Sequence, residues 1–217
     1  MNTWVKIAGL ILILMFSVLY IYFKKTLLTY QNDDLVLIHP FFPKKQFSDI
    51  VKYCKTLDSK LENDNRVKSR KTYMCDSKTD SSLYYMIYSS HLFQQMRKIL
   101  KRETIYASEF PIEYRKYETG SEGMDWHSDV PMFSTQSMEC VLTLKNTSDS
   151  HFYWKDNDII KKISTKPNTL VIVLSNSVKH MVSKLNFGER FILKFVHHQK
   201  DSDHTQSFYY HRQKCPK

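Results

Sequence analysis

Glycine and cysteine motifs are scarce in this chain of 217 residues. It has only four glycines and four cysteines, and no two of the cysteines form a CxxC pair. Cys54, Cys75, Cys140 and Cys215 therefore exclude an ordinary zinc ribbon, and they leave open whether any of them form disulfides. Internal repeats and low-complexity linkers are also absent from the sequence, so the part after residue 25 is expected to fold as one domain.

Negative charge is in deficit. The formal net charge is +10, and the lysines and arginines are scattered along the chain. A basic surface attracts nucleic acid, acidic protein and anionic lipid alike, and a lysine-rich composition also occurs without any of these ligands. The charge alone therefore selects no partner.

Charged residues are missing altogether between Ile7 and Phe23. As a helix this stretch covers about 25 Å, a little less than the roughly 30 Å hydrocarbon core of a bilayer. Flanking lysines and aromatic side chains can complete the span, and no small-x-small cleavage site follows it. We therefore predict a single-pass membrane anchor in residues 1–25, with residues 4–23 contacting the bilayer.

The orientation of this anchor is weakly marked. Lys24 and Lys25 after the span nearly balance Lys6 and the terminal amine before it, and this near-tie slightly favours a cytoplasmic domain. Asn146-Thr147-Ser148 is an N-glycosylation sequon, which favours a lumenal domain. We expect a membrane of the endoplasmic reticulum or secretory pathway with the lumenal side favoured, and we leave the glycosylation of Asn146 and the oligomeric state open.

The spacing of apolar residues changes along the rest of the chain, from helical spacing in the first half to the alternation typical of strands in the second. Helical spacing predicts helices at Lys44 to Leu57 and about Leu83 to Leu100, after a strand at Leu35 to Ile38 and around a polar loop at Asp58 to Lys71. Alternation then predicts strands at Glu109 to Tyr117, Glu139 to Lys145, Phe152 to Trp154, Leu170 to Leu174, Lys179 to Lys184 and Arg190 to His197.

This order of elements indicates an α+β, mainly β domain: a β-sandwich or jelly-roll barrel supported by helices. We divide it into a helical support region at 26–104, a β core at 105–198 and a polar basic tail at 199–217. Four histidines close to or within the tail are expected to be solvated: His197, His198, His204 and His211.

His127-Ser128-Asp129 and the distant His180 suggest a metal site. Residues i and i+2 of a strand project to the same face, so His127 and Asp129 can approach one ion together. Two imidazoles and one carboxylate are the set that binds Fe(II) while leaving coordination positions open. Arg190 follows ten residues after His180 and opens an apolar strand, where a guanidinium needs an anionic partner.

These motifs resemble those of the Fe(II)/2-oxoglutarate-dependent dioxygenases, and most closely the prolyl 4-hydroxylase-like branch. Tyr114-Arg115-Lys116-Tyr117-Glu118-Thr119-Gly120 is similar to the R-Y-x-x-G stretch ahead of the HxD motif. His127-Ser128-Asp129 matches the HxD motif, and His180 with Gly188-Glu189-Arg190 matches the distal histidine and the G-E-K/R motif. The resemblance extends over roughly residues 35–198.

The resemblance implies a double-stranded β-helix (jelly-roll) core and a set of roles. His127, Asp129 and His180 would hold Fe(II), and Arg190 would bind the 5-carboxylate of the co-substrate 2-oxoglutarate, with Tyr117 assisting. Ascorbate would serve as reductant, and no catalytic residue is expected beyond the metal site. The substrate would be a protein or peptide, most simply peptidyl proline, hydroxylated at an unactivated C–H bond.

Two other functions stay open at this stage. The first is a dioxygenase of another substrate, such as alkylated nucleobases. The basic charge supports it, but a membrane anchor opposes a nucleic-acid substrate. The second is a non-catalytic membrane interaction domain on the same fold, which an intact metal triad with Arg190 argues against.

Overall fold

The computed structural model describes residues 13–15, 17, 30–200 and 202–213. The predicted anchor in residues 1–25 lies outside these ranges, apart from residues 13–15 and 17, which are helical. Among the residues described, no helix is both long enough and apolar enough to cross a membrane.

The described residues form a mainly β fold. The helices are α1 (Lys44–Thr56), α2 (Ser81–Ile87), α3 (Ser90–Leu100) and α4 (Gln206–Gln213). The strands are β1 (Tyr30–Gln31), β2 (Leu35–Ile38), β3 (Glu62–Asn63), β4 (Arg70–Cys75), β5 (Tyr106–Ala107), β6 (Ile112–Tyr117), β7 (Met124–His127), β8 (Met138–Asn146), β9 (Phe152–Asp156), β10 (Ile159–Ile163), β11 (Leu170–Leu174), β12 (His180–Val182) and β13 (Arg190–His198).

The strands pair antiparallel in two sheets. The large sheet has the order β1-β2-β11-β8-β13-β6-β4-β3, and β5 pairs with the far end of β13. The small sheet has the order β10-β9-β12-β7. Two antiparallel sheets with these crossovers are consistent with the jelly-roll core that the sequence predicted.

Both faces of the large sheet are covered, which explains the continuous apolar run of β11. Leu170 and Ile172 point toward the helices, where they join a core that includes Ile50 of α1 and Met96 of α3. Val171 and its neighbour Val173 face the small sheet. The helices therefore support one face of the large sheet, and the space between the two sheets is left for a site.

Parts of the first half differ from the prediction. The polar segment at 58–71 is not simply a loop, because it contains β3 and leads into β4. The long helix predicted from Leu83 to Leu100 is two helices, separated at Tyr88-Ser89, where the Ser89 backbone is extended. The break turns the chain so that both helices pack on the same sheet face.

The prediction of four solvated histidines is wrong for His197, whereas His204 is exposed, and the described part of the polar tail contains a helix that packs on the domain. Helix α4 buries Phe208 against the rings of Phe110 and Phe133. Burying an aromatic side chain contributes about 1.5–3 kcal/mol, and this contact helps to hold an otherwise polar helix on the domain. His197 is also buried, between the rings of Tyr88 and Phe93.

A cluster of buried charges lies where β4 meets β6. Asp64 accepts hydrogen bonds from Arg66 at 2.8 Å, from Arg70 Nε at 3.0 Å and from Thr72 at 2.8 Å. Burial opposes ionisation of Asp64, but its hydrogen bonds to Arg66 and Thr72 and the charge of Arg70 hold the pKa of this carboxyl well below its usual range. Asp64 therefore remains the counter-charge of the buried Arg70.

We expect Asp64→Asn to lower the free energy of unfolding by about 3 kcal/mol or more, because it leaves the charge of Arg70 buried and uncompensated. Urea unfolding measures this change. The control is Asp49→Asn, whose exposed ion pair with Lys45 on α1 should contribute less than about 1 kcal/mol. Equal losses in the two variants would contradict a supporting role for Asp64.

Candidate metal centre

The pairing of β12 with β7 brings together the three residues predicted to bind metal. His180 lies directly opposite His127 in the antiparallel register, and Asp129 follows just after β7 ends. An Asp129 carboxylate oxygen lies 3.8 Å from His127 Nε2, and the other lies 3.5 Å from His180 Nε2. One ligand atom from each residue lies within 4.8 Å of the others, close enough to meet at a single ion.

Backbone carbonyl groups fix the orientation of both imidazoles. His127 Nδ1 lies 2.6 Å from the carbonyl oxygen of Asp125, and His180 Nδ1 lies 3.2 Å from that of Val178. If each Nδ1 carries the proton and donates it to this carbonyl, each Nε2 keeps its lone pair for a metal. His127 Nε2 is buried and has no hydrogen-bond partner among the residues that the structure describes.

The residues present fit a divalent transition metal. Two nitrogen ligands and one oxygen ligand on one side of an ion leave the opposite positions open, as in non-haem Fe(II) sites. Burial is the main cause that lowers the pKa of His180, which keeps this imidazole in the neutral form that binds metal.

A cavity extends from these three side chains between the two sheets. Its apolar wall includes Val141, Phe152, Val171, Val173, Val182 and Ile192. Its polar wall includes Arg115, Tyr117, Glu139, Arg190 and Lys194. A small polar molecule could thus contact the metal centre at one end of the cavity and cationic side chains elsewhere in its wall.

Arg190 is a buried cation without a counter-charge in this cavity. It is 5% exposed, and no carboxylate in the described part of the chain lies within ion-pair distance of it. Its Nε has no hydrogen-bond partner there, and neither does the buried hydroxyl of Ser121, which lines a smaller cavity beside it. Burying an unpaired charge is costly, so the arrangement calls for an anionic ligand.

Tyr117 lies among three guanidinium groups. Arg70 and Arg190 lie 5.9 Å and 6.0 Å from the centre of its ring, and Arg115 donates to its hydroxyl at 3.5 Å. Burial alone would raise the pKa of Tyr117, but the charges of Arg115, Arg70 and Arg190 override it and lower the pKa to about 8. Tyr114 points the other way, and its hydroxyl donates to Asp58 at 2.7 Å.

Sequence reasoning missed several residues of the cavity wall. Lys194 shares the inward face of β13 with Arg190 and Ile192, so alternation along this strand could have identified it. Glu139 pairs with Lys194 across the neighbouring strand β8. Arg70 could not be found in the same way, because β4 was not predicted.

Comparisons with known proteins identify the fold. No family model matches the chain, and no curated protein matches it. The solved structures it resembles include a 2OG-Fe(II) oxygenase family oxidoreductase from Burkholderia pseudomallei, at TM-score 0.62 and 12% identity, covering 76% of this chain and 84% of that one. HygX from Streptomyces hygroscopicus, with nickel and 2-oxoglutarate bound, matches at TM-score 0.58 and 9% identity, covering 83% and 86%.

A prolyl hydroxylase from Trichoplax adhaerens, in complex with a peptide fragment of the hypoxia inducible factor oxygen degradation domain, is also similar. It matches at TM-score 0.61 and 12% identity, covering 78% of this chain and 85% of that one. At these identities the likeness shows a shared fold. The chain therefore has the fold of the 2-oxoglutarate–Fe(II) oxygenases, with a His-Asp-His group that can hold a metal.

Gly123 tests how tightly the metal site depends on the strand pairing. Its φ is +75°, and a Cβ there would overlap the backbone of Val182 and Ser183 on the β12 side. We expect Gly123→Ala to push β7 away from β12 and to weaken Fe(II) or Co(II) binding about ten-fold or more, as changes around metal ligands commonly do.

The matched control is Gly120→Ala in the same loop. Gly120 has a similar φ of +89°, but its Cβ would meet only the Ser69 hydroxyl oxygen at 3.5 Å. This variant carries the backbone strain without the overlap, so its metal affinity should stay close to that of the unmodified protein. Equal metal affinities in the two variants would contradict the role of Gly123.

The lowered pKa of Tyr117 is measurable by following tyrosinate absorbance in the metal-free protein. We expect a first ionisation step with a midpoint near pH 8, well below the ordinary value of about 10. Tyr117→Phe should remove this step, and Arg190→Met should move it to higher pH because one stabilising cation is lost. A step near pH 8 that persists in Tyr117→Phe would assign it to another group.

Proposed function

We propose that the protein is an Fe(II)- and 2-oxoglutarate-dependent dioxygenase that hydroxylates an unactivated C–H bond of a protein or peptide, with peptidyl proline as the first candidate. The observation that carries the proposal is Arg190, a buried cation without a counter-charge in a cavity that leads to the His-Asp-His group. A dicarboxylate that reaches from the metal to Arg190 satisfies both ends of this cavity.

The residues of the chain have distinct tasks in this reaction. His127, Asp129 and His180 would hold Fe(II), which when bound supplies the activation of oxygen. Arg190 binds the far carboxylate of 2-oxoglutarate with parallel hydrogen bonds, and the Tyr117 hydroxyl lies beside it to donate another. The apolar wall keeps water from the reacting end of the cavity.

Phe152 is placed to affect substrate choice. Its ring lies 5.6 Å from that of His180 and forms part of the apolar wall. A peptide is supported as substrate by the Trichoplax adhaerens prolyl hydroxylase of similar fold, which holds a peptide. Proline fits the apolar surroundings, because its ring exposes C–H bonds and no donor.

We also propose that residues 4–23 anchor the enzyme in a membrane of the secretory pathway, with the catalytic domain on the lumenal side. The absence of charge from Ile7 to Phe23 and the sequon at Asn146 support this placement. The Asn146 carboxamide donates to the carbonyl of Thr165 at 3.0 Å, so a glycan on this nitrogen would have to displace that hydrogen bond.

The full chain in detergent, supplied with Fe(II), ascorbate and 2-oxoglutarate, should form succinate. His127→Ala/Asp129→Ala should abolish the reaction through loss of metal. Arg190→Met should raise the 2-oxoglutarate concentration needed by about ten-fold or more, the value of a charge-assisted hydrogen bond pair. Mass spectrometry of added proline-rich peptides then looks for one added oxygen.

Two results would count against the proposal. If the folded protein forms no succinate and binds no Fe(II), the domain is a binding module and not a dioxygenase. If succinate forms but only non-peptide substrates gain oxygen, the reaction class holds and the peptide assignment is wrong. A nucleic-acid oligomer carrying alkylated bases provides the comparison for the second case.

A further inference from the structure

The inward face of β13 carries a second cation besides Arg190. Arg190, Ile192 and Lys194 alternate along the strand, and all of them line the cavity. The Lys194 ammonium lies 2.7 Å from a carboxylate oxygen of Glu139 on β8. The side chains of Lys194 and Glu139 are only 17% and 3% exposed.

The Lys194–Glu139 pair belongs electrostatically to the metal end of the cavity. Burial lowers the pKa of Lys194, but the negative charges of Glu139 and Asp129 more than offset burial and raise it above its ordinary value. Lys194 is therefore a cation. Strand register places the two cations: the backbone carbonyl of Asp129 accepts from the amide of Asn176 just after β11, whose end at Leu174 pairs with Met138, and Met138 pairs with His197 at the Lys194 end of β13. Arg190 lies at the opposite end of β13, beside Asn146.

Lys194 also has donors to spare. Arg115, the other cation of this wall, directs Nε and a terminal nitrogen to Glu113 at 3.0 Å and 2.6 Å, and its remaining group to Tyr117. An ammonium has three N–H donors, and Glu139 is its one ion-pair partner in the described part of the chain. One ion-pair partner leaves N–H donors of Lys194 available, so this ammonium can also donate to a ligand in the cavity.

We propose that Lys194 is the second cation of the co-substrate site, positioned by Glu139 to bind the carboxylate next to the 2-oxo group while Arg190 binds the far carboxylate. The inference rests on the proposed function, because it presumes that a 2-oxo acid occupies the cavity. It divides recognition between two side chains: Lys194 serves every 2-oxo acid, and Arg190 selects those with a second carboxylate.

The test measures binding and needs no turnover. The full chain is loaded with Fe(II) under anaerobic conditions, and the visible charge-transfer absorbance of the metal–2-oxo acid complex is titrated with two ligands. These are 2-oxoglutarate and 2-oxopentanoate, which has the same carbon chain without the far carboxylate. The variants are Lys194→Met, Glu139→Gln, the double variant Lys194→Met/Glu139→Gln, and Arg190→Met.

The double variant distinguishes a direct contact between Lys194 and the ligand from effects of the cavity's net charge and of an unpaired buried group. It removes one charge of each sign, so the net charge of the cavity is unchanged, and it leaves neither partner buried alone. We expect it to weaken both ligands by about ten-fold or more, with their affinity ratio preserved. Arg190→Met should instead lower the affinity for 2-oxoglutarate alone, so that the two acids bind with similar affinity. The surface pair variant Lys45→Met/Asp49→Asn should change neither ligand.

Each contrary outcome has a separate meaning. If the double variant binds both ligands as the unmodified protein does, Lys194 is only structural and the inference fails, whether or not Lys194→Met alone is impaired. If the double variant binds 2-oxoglutarate and 2-oxopentanoate with equal affinity, Lys194 binds the far carboxylate and the assignment is overturned. If the unmodified protein with Fe(II) bound forms no complex with either acid, the proposed function fails first. Fe(II) affinity and thermal unfolding of each variant show that the site itself is intact.

Discussion

The antiparallel pairing of β12 with β7 is the contact on which the site depends. β12 has only three residues, and a strand this short has little stability of its own. It is held on both sides, by β9 and by β7, and the small sheet is packed through Phe152 and Val182 onto Val171 and Val173 of the large sheet. Apolar packing between the sheets therefore fixes the distance between two imidazoles that are far apart in sequence.

Buried charge is the second constraint on this fold. In and beside the cavity wall, Asp64 neutralises Arg70, Glu113 neutralises Arg115, and Glu139 neutralises Lys194. Such pairs hold their partners in fixed positions, although apolar residues would often be as stable. Arg190 stands out against this background, because every neighbouring cation has a carboxylate of the chain and it has none among the described residues. One unpaired cation among neighbouring cations that all have carboxylate partners indicates a ligand more strongly than a buried arginine alone.

Much of this arrangement is legible in the sequence. β2 and β11 have the predicted bounds because their residues are apolar throughout, and β13 was found because its apolar run is long. The three residues predicted to bind metal and Arg190 were singled out by their order and spacing, and the structure brings them to one cavity. Elements and residues that are marked by a local pattern of apolar residues or by motif spacing could therefore be predicted from the sequence.

The remainder depends on contacts distant in sequence. β4 begins with Arg70 and Lys71 and looks like a loop, since a buried arginine in a strand makes sense only once Asp64 is known to lie beside it. Phe208 is an apolar aromatic residue in the polar tail, but the pocket between Phe110 and Phe133 that receives its ring forms only in the folded chain. Partners of buried polar groups are tertiary information, and this is why the charged wall of the cavity was missed.

The same layer of charge would also decide the state of Tyr117 once a carboxylate binds Arg190, as the proposed function requires. Its pKa is lowered because burial is outweighed by the charges of Arg115, Arg70 and Arg190. A carboxylate bound to Arg190 neutralises one of these charges, so the pKa of Tyr117 must rise again in the complex. The protonated hydroxyl can then donate to the carboxylate that caused the change. Anion binding at Arg190 thus favours the protonated form of Tyr117, which is the form that can donate a hydrogen bond to the bound anion.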